Sequence, residues 1–513
     1  MSGAGGAGGV GGAAATAKVF LHPAFVVGEI DRRIFGSFVE HMGRCVYTGI
    51  YEPTHATADA EGFRGDVSAL VDELGVTLVR YPGGNFVSGY DWRDGIGPVA
   101  DRPTRLDLAW RTAEPNTVGT DEFLRWAARR GLDPIMAVNL GTAGVREAAE
   151  LVEYCNVASG TTLADLRASY GTPAPHAVRT WCLGNEMDGD WQIGHTTAEQ
   201  YGRRAAEAGK AMRMVDPEIE LVACGSSSRE MPTFGRWEDT VAELTLDVVD
   251  YLSMHAYYDG TQARRDYLVS GHRLHRFIED VVATVDAVAA RRGSGRRLQI
   301  ALDEWNVWSS AADVSPAGLA RDLSLTPPRI TEDPYQSLDA VVLGDLLISI
   351  LNHADRVKIA CLSLLVNVSA PILTEPDGPV TRQTTFHPFA ATARLATGTA
   401  LRTAVECAPL TTDRHGTVPS VAAAATLDRA AGRAAVFLAN RGPNPAEVTI
   451  DHQAFGDCTL LAARTLTAHD ADELRSIDGT LVELKRIETR NRATTAVLPA
   501  ESWSVIELET RNA

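Results

Sequence analysis

The chain has 513 residues, more than one ordinary domain, so we expect roughly two or three domains unless one of them is a large α/β barrel. Its formal net charge is −18 and its lysines and arginines are dispersed, so we expect neither nucleic acid nor an anionic membrane as a partner. The seven cysteines form no C-x-x-C pair and no apolar run is long enough to span a bilayer, which predicts a cytoplasmic protein with reduced thiols.

The N-terminus, residues 1–17, predicts a flexible Gly/Ala arm without the basic start and long apolar core of a secretory signal. Residues 3–8 read GAGGAG, but no strand precedes this match to G-x-G-x-x-G, and we expect no dinucleotide cofactor. Since His41 and Cys45 lack two further ligands at suitable spacing, we also expect no metal site. Residues 18–30 predict an N-terminal strand that joins the edge of a C-terminal β domain.

Between residues 31 and 395, short β-rich segments alternate with longer segments of helical period. The candidate strands are residues 34–42, 76–84, 134–141, 180–187, 219–226, 251–258, 298–307 and 357–367. Such βα units in series predict a closed (β/α)8 TIM barrel, whose parallel strands are covered by helices. Strands then follow one another without intervening helices, which predicts an all-β sandwich over residues 396–513.

A barrel of this kind carries its chemistry at the C-terminal ends of its strands. Polar side chains are concentrated there in this sequence: Glu40, His41, Asn85, Asn139, Asn185, Glu186, His255, Tyr257 and Glu304. Glu186 and Glu304 end strands four and seven and could face each other across the barrel. Glycosidic cleavage needs such a pair, because one carboxyl protonates the leaving oxygen while the other attacks the anomeric carbon or activates water.

Simpler interpretations exist for several of these residues. Glu186 and Glu304 could be structural ion-pair partners, and a lone His255 after a strand is usually a hydrogen-bonded structural residue. We expect the tryptophans near the two glutamates to pack in the core, and strand alternation turns Trp305 away from the face of Glu304. These core tryptophans are Trp181, Trp305 and Trp308.

Long motifs follow one another in order along the chain: FGSFVEHMGRCVYTGIYEP, RYPGGNFVSGYDWRDGIGP, LDLAW, LGNEMDGDWQIGH, SMHAYY, DEWNVW and TRQTTFHPF. They resemble the motifs of glycoside hydrolase family 51, the intracellular α-L-arabinofuranosidases, and the resemblance runs from about residue 18 to the C-terminus. It implies a TIM barrel followed by a jelly-roll-like sandwich that recruits an N-terminal strand. It also implies no cofactor and a homo-oligomer such as a hexamer.

The resemblance further implies roles for individual residues. Glu186 in GNEM would be the general acid/base, and Glu304 in DEWN the nucleophile of a retaining mechanism. Asn185 would bond the sugar 2-hydroxyl, Tyr257 would orient the nucleophile, and His255 lies beside it. The remaining substrate-binding residues would be Glu40 for sugar hydroxyls, Asn85 in the same subsite, Gln383 closing it, and Trp110 and Trp191 offering apolar faces.

The function implied is a retaining, exo-acting α-L-arabinofuranosidase that removes terminal non-reducing residues from arabinan- or arabinoxylan-derived oligosaccharides. Two alternatives stay open: another glycosidase specificity, β-xylosidase or endoglucanase, and a non-catalytic sugar-binding protein. We expect the Pro-rich loop 309–333, which follows the nucleophile strand, to decide linkage preference.

Overall fold

Eight parallel strands close into a barrel in the computed structural model, which describes residues 15–308, 318–332, 334–468 and 481–510. We number them in chain order: β1 Gly36–Phe38, β2 Leu78–Tyr81, β3 Asp133–Val138, β4 Thr180–Leu183, β5 Glu220–Ala223, β6 Tyr251–Asp259, β7 Gln299–Trp308 and β8 Val357–Leu362. Each strand pairs with the next, and β8 pairs with β1. The predicted barrel is confirmed.

Helices connect these strands and cover the barrel. In the part of the chain that the structure describes, the α-helices are Gly65–Leu74, Thr120–Arg130, Val145–Asn156, Thr162–Ser169, Ala198–Val215, Arg236–Thr245, Arg264–Leu268, Ser270–Arg291, Ser337–Leu351 and Phe386–Leu395. The helix Ser270–Arg291 shows why they pack as they do. It buries Leu274, Phe277 and Ile278 at spacings of three and four residues, so one apolar stripe faces the core. Short 3-10 helices are Arg32–Phe35, Asn85–Gly89, Trp92–Gly95, Val99–Asp101 and Gln453–Phe455.

The helix Ser337–Leu351 joins the barrel to a C-terminal all-β domain. It is buried nearly all round because it contacts β7 on one side and strands of the C-terminal domain on the other. A buried ion pair crosses the same boundary, with Arg441 of the β domain donating to both carboxylate oxygens of Asp345 at 2.8 and 2.9 Å. The bidentate geometry fixes the two domains against each other.

The C-terminal domain consists of two packed sheets, as the sequence predicts. The five-stranded sheet has the order Ala404–Cys407, Ala15–Phe20, Ala446–Asp451, Ala493–Leu498 and Ile487–Arg490. The seven-stranded sheet has the order Val26–Glu29, Thr399–Leu401, Val421–Asp428, Arg433–Asn440, Ser502–Thr510, Cys458–Thr467 and Val482–Glu483.

Three small sheets of two strands each lie along the chain. They pair Arg105–Leu106 with Ala113–Glu114, Ile372–Thr374 with Val380–Arg382, and Pro409–Thr411 with Thr417–Pro419.

The N-terminal segment contributes one strand to each large sheet. Val26–Glu29 lies at the edge of the seven-stranded sheet, whereas Ala15–Phe20 lies inside the five-stranded sheet and not at its edge. Ala17 and Val19 of this strand are buried in the core between the sheets, which makes the strand part of the domain interior. The domain boundaries 1–17, 18–30, 31–395 and 396–513 stay a prediction.

Two predicted features fall partly outside the described residues. These are positions 1–14 of the Gly/Ala arm and positions 309–317 and 333 of the loop that we expect to decide linkage. Within the described ranges, no helix is both long and apolar enough to cross a membrane.

Candidate active site

A cavity of about 310 Å³ opens at the C-terminal ends of the barrel strands. Its lining includes seven of the residues singled out from the sequence: Glu40, Asn85, Trp110, Glu186, Trp191, Tyr257 and Glu304. They come from β1, β2, β4, β6, β7 and the loops that follow those strands, because parallel strands in a barrel all end at one rim.

The two glutamates lie close together in this cavity. One carboxylate oxygen of Glu186 is within 4.8 Å of one of Glu304. Glu186 has a positive φ of 45°, a sparsely populated backbone conformation for a non-glycine residue, directly after the end of β4. Carboxyls about 5 to 5.5 Å apart suit direct attack on a sugar carbon, whereas inverting enzymes keep about 6.5 to 9.5 Å for a water molecule. A closest oxygen-to-oxygen approach within 4.8 Å agrees with the shorter of these two spacings.

Glu304 is held at both carboxylate oxygens. Arg80 donates to Oε1 at 2.8 Å, and the Tyr257 hydroxyl donates to Oε2 at 2.7 Å. Burial raises the pKa of Glu304, the charges of His255 and Arg80 oppose that rise, and the nearby Glu186 adds to it, so the pKa stays above its usual value. The two donors fix the orientation of the carboxylate that faces the cavity.

Arg80 is a site residue that the sequence analysis missed. It is completely buried on β2, donates to Glu304 and to Asn185 Oδ1 at 2.7 Å, and has its Nε 3.3 Å from Asp303 Oδ2. The sequence LVRY could have indicated this role, since an arginine in a fully buried strand requires counter-charges in the interior. Asp303, directly before Glu304, is the second such counter-charge.

Glu186 is also held by two neighbours. The indole Nε1 of Trp191 donates to Oε2 at 2.6 Å, and His255 Nδ1 lies 2.9 Å from Oε1. Burial lowers the pKa of His255, but the carboxylates of Glu304, Asp303 and Glu186 outweigh it and hold that pKa well above its usual value. The carboxyl groups around the imidazole therefore favour its protonated form.

Glu186, His255 and Glu304 each present a ligand atom within 4.8 Å of the others, a spacing that a metal ion could bridge. The Arg80 guanidinium already donates to Glu304, and its positive charge disfavours a metal cation at the same carboxylate. The same three groups suit a sugar between two carboxyls instead.

The opposite wall of the cavity is formed around Glu40. Its Oε1 accepts hydrogen bonds from the Phe86 backbone N–H and from Trp110 Nε1, both at 2.9 Å. Burial, together with the nearby charge of Glu304, raises the pKa of Glu40 to about 8. Asn85 Oδ1 accepts from Asn185 Nδ2 at 3.4 Å, which links this wall to β4. The raised pKa favours the protonated form of Glu40, in which the carboxyl can donate as well as accept.

Known proteins that are similar to this chain are found by sequence and by structure. Residues 70–273 match the family described as alpha-L-arabinofuranosidase 1 domain, and residues 303–502 match the alpha-L-arabinofuranosidase C-terminal domain. The chain is 49% identical over 509 residues to a Streptomyces lividans protein named intracellular exo-alpha-(1->5)-L-arabinofuranosidase, with 96% of this chain and 75% of that protein covered. The chain belongs to the α-L-arabinofuranosidase family.

Two Bifidobacterium longum proteins agree with this assignment. One, named exo-alpha-(1->6)-L-arabinofuranosidase, is 46% identical over 505 residues, covering 94% of this chain and 96% of the relative. The other is the solved structure of AbfB, a family 51 alpha-L-arabinofuranosidase, with a TM-score of 0.91 at 42% identity and coverage of 96% and 99%. The resemblance to glycoside hydrolase family 51 and the fold predicted with it are confirmed.

Two residues of this family 51 chain lie elsewhere than the sequence analysis expected. Gln383 lies outside the cavity lining, where its amide accepts from the Tyr335 N–H and donates to the Ala370 carbonyl, so its role in closing the subsite stays a prediction. Trp308 lines the cavity and packs edge-to-face on Tyr257, with 5.6 Å between the ring centres. The prediction that Trp308 packs in the core was therefore wrong. The alternation of side chains along a strand predicts this position, because Trp308 lies four residues beyond Glu304 and therefore on the same face of β7.

Trp181 and Trp305 are fully buried in the barrel core, as the sequence analysis expected. Asn185 and His255 are buried directly behind the cavity, through contacts to Arg80 and Glu186 respectively. Of the predicted site residues, all but Gln383 are thus either in the cavity wall or in contact with a carboxylate or arginine that forms it.

Proposed function

We propose that the protein is a retaining, exo-acting α-L-arabinofuranosidase that releases terminal non-reducing α-L-arabinofuranosyl residues from oligosaccharides. The observation that carries this proposal is the separation of Glu186 and Glu304, within 4.8 Å inside a cavity at the strand ends of a family 51 barrel.

In this mechanism the Glu304 carboxylate attacks the anomeric carbon while Glu186 transfers its proton to the departing glycosidic oxygen. The glycosidic bond breaks, a covalent ester to Glu304 forms, and the alcohol leaves. Glu186, now a carboxylate, then takes a proton from water as that water attacks the same carbon and the ester bond to Glu304 breaks. Arabinose leaves with its original configuration, and both glutamates return to their starting states.

The neighbours of the glutamates have matching roles. Arg80 and Tyr257 orient Glu304, and Trp191 and His255 orient Glu186, through the hydrogen bonds described above. Asn185 bonds the sugar 2-hydroxyl, a contact that strengthens in the oxocarbenium-like transition state. The other substrate contacts in this proposal are Glu40 and Asn85 for hydroxyls, Trp110 and Trp191 for the apolar sugar face, and Gln383 at the end of the subsite.

The substrates proposed are short arabinan- and arabinoxylan-derived oligosaccharides met inside the cell, since the Streptomyces lividans relative is named intracellular. We propose no preference of linkage, because the names of two relatives of similar identity specify (1->5) and (1->6) bonds. A homo-oligomeric state, such as a hexamer, is likewise proposed from the family resemblance.

The test is hydrolysis of a panel of nitrophenyl glycosides followed by proton NMR. We expect the α-L-arabinofuranoside to be cleaved with a kcat/KM at least about 100-fold above that of the β-D-xyloside, with α-arabinose as the first product seen. Preference for the xyloside or for a glucan would contradict the specificity. Initial release of β-arabinose would contradict retention, and binding without turnover would indicate a non-catalytic sugar-binding protein.

A further inference from the structure

A second cavity, of about 360 Å³, lies beside the catalytic one, and Tyr257 lines both. Its walls come from four parts of the chain: residues 228–230 after β5, residues 255–258 of β6, the helix Ser270–Arg291, and the loop of the hairpin Pro409–Thr411/Thr417–Pro419. The cavity is therefore built jointly by the barrel and the C-terminal domain.

The lining of this cavity is strongly basic, and we call it the basic cleft. Its basic residues are Arg229, Arg273, Arg276, Arg414, His255, His272 and His415. Glu230 is the acidic residue described in the same wall. A concentration of positive charge needs a reason in a chain whose formal net charge is −18. An anionic ligand provides that reason, whereas the neutral arabinose of the catalytic cavity does not.

Ion pairs within the protein neutralise part of this positive charge but not all of it. Arg229 pairs with Asp280 at 2.5 Å, Arg273 with Glu230 at 3.0 Å, and Arg276 with Glu279 at 2.9 Å. The guanidinium of Arg414 has no hydrogen bond or ion pair with any residue that the structure describes, although the Arg414 backbone N–H donates to the buried Asp266 at 3.1 Å. The loop is thus anchored while its cationic side chain stays available.

Nearby arginines help to lower the pKa values of His272 and His415, whereas the carboxylates beside His255 raise the pKa of that third imidazole. Burial lowers the pKa of His415, and the charges of Arg273 and Arg414 lower it further. Burial and the charge of Arg441 lower the pKa of His272. Both imidazoles are neutral near neutral pH, so they can donate or accept hydrogen bonds without adding charge of their own.

The shape of the cleft indicates more than a small inorganic ion. The aromatic residues Tyr257, Tyr258 and Phe277 lie in the lining, and the Arg273 guanidinium stands 5.1 Å from the centre of the Tyr258 ring. Tyr257 is the partly exposed member of the three, and its apolar surface beside arginines suits a sugar ring that bears a carboxylate, because the carboxylate needs a planar cationic fork.

We propose that the basic cleft binds an acidic sugar of the hexuronate class through its carboxylate, with Arg414 as a principal donor. The ligand chemistry is that of an oxyanion, which inorganic phosphate shares, and the carboxylate is favoured because of the aromatic lining and the volume. Tyr257 and His255 contact the catalytic glutamates as well as the cleft, but binding at the cleft is measured without hydrolysis.

The test is isothermal titration calorimetry with D-galacturonate, D-galactose and inorganic phosphate, in excess L-arabinose to occupy the catalytic cavity. Galacturonate should bind with a Kd of about 1 mM or below, and neutral galactose should bind at least about tenfold more weakly. Arg414→Gln should weaken galacturonate binding about tenfold or more, since it removes a charge-assisted hydrogen bond from an exposed side chain. The matched control is Arg402→Gln, an exposed arginine of the same domain outside the cleft, which should bind as the wild type does.

Three outcomes would overturn the proposal. Galactose binding as well as galacturonate would show that the carboxylate is not recognised. Phosphate binding without galacturonate binding would assign the cleft to a different oxyanion. Unchanged affinity in Arg414→Gln, checked with Arg276→Gln as a second exposed variant of the cleft, would place the binding elsewhere on the protein.

Discussion

Asp303 lies 3.5 Å from Nε2 of His255, on the neighbouring strand. The opposite ring nitrogen, Nδ1, contacts Glu186 at 2.9 Å, so the imidazole connects Asp303 to the carboxyl that we propose as the acid/base. Burial works against the charge of Asp303, but Arg80 and His255 outweigh it and lower the pKa of Asp303 to about 2. A permanent negative charge therefore stabilises the imidazolium from behind the site.

Asp303→Asn tests this relationship. The variant keeps the shape of the side chain but removes the charge, so the pKa of His255 should fall and kcat/KM should drop by roughly 10- to 100-fold. NMR titration of the His255 imidazole gives a readout that a merely structural role would not move. An unchanged imidazole titration would contradict the role assigned to Asp303. Asp457→Asn, at an exposed position of the β domain, serves as the control.

Glu186→Ala should affect substrates according to their leaving groups. A good leaving group hardly needs a proton, so the substitution should slow hydrolysis of dinitrophenyl arabinofuranoside far less than hydrolysis of an arabino-oligosaccharide. The two fold-reductions in rate should differ by a factor of about 100 or more. Steady-state kinetics with both substrates measures the difference. If both reactions slow to the same extent, Glu186 is not the acid.

Glu304→Ala should lose nearly all activity even on activated substrates, because no glycosyl-enzyme can form. Azide can enter the vacated space and attack the anomeric carbon from the same face. A single displacement then gives an azide product of inverted configuration, whereas azide acting on Glu186→Ala attacks the covalent intermediate and gives a retained product. Proton NMR of the two adducts distinguishes them, and the opposite pairing would mean that the two roles are exchanged.

The raised pKa of Glu40 predicts that the stability of the protein depends on pH. Its pKa rises from an ordinary 4.5 to about 8 on folding, so between those values the folded state binds the extra proton and the free energy of unfolding falls as pH increases. Each pKa unit corresponds to about 1.4 kcal/mol. Glu40→Gln removes this titration and keeps a side-chain acceptor for Phe86 and Trp110. The free energy of unfolding of the variant, relative to that of the wild type, should therefore increase as the pH rises from 5 to 8.

Urea unfolding at several pH values checks this expectation. Exposed Glu483→Gln is the matched control and should leave the pH dependence of the wild type unchanged. A constant difference in unfolding free energy between wild type and Glu40→Gln across this range would show that Glu40 titrates normally.

The sequence by itself determined the barrel and the location of its chemistry. Hydrophobic periodicity is a local property, so eight strands could be read one at a time, and parallel strands in series can close only with their carboxyl ends at one rim. Glu186 and Glu304 follow from that rule, because Glu186 lies just beyond the end of β4 and Glu304 lies in the C-terminal half of β7, each within a distinctive motif. The likeness of those motifs to a known family then supplied roles that spacing alone could not.

Only the tertiary structure decided which buried charges meet. Arg80 on β2 reaches Asp303 and Glu304 on β7 and Asn185 after β4, and such contacts across a barrel depend on strand register and tilt. β7 also shifts register against β8 between Leu302 and Trp305, the interval that contains Glu304. A sequence pattern fixes which face a residue takes along its own strand, but the partner of a buried charge is chosen by distances through the barrel interior, where an unpaired charge is too costly to leave.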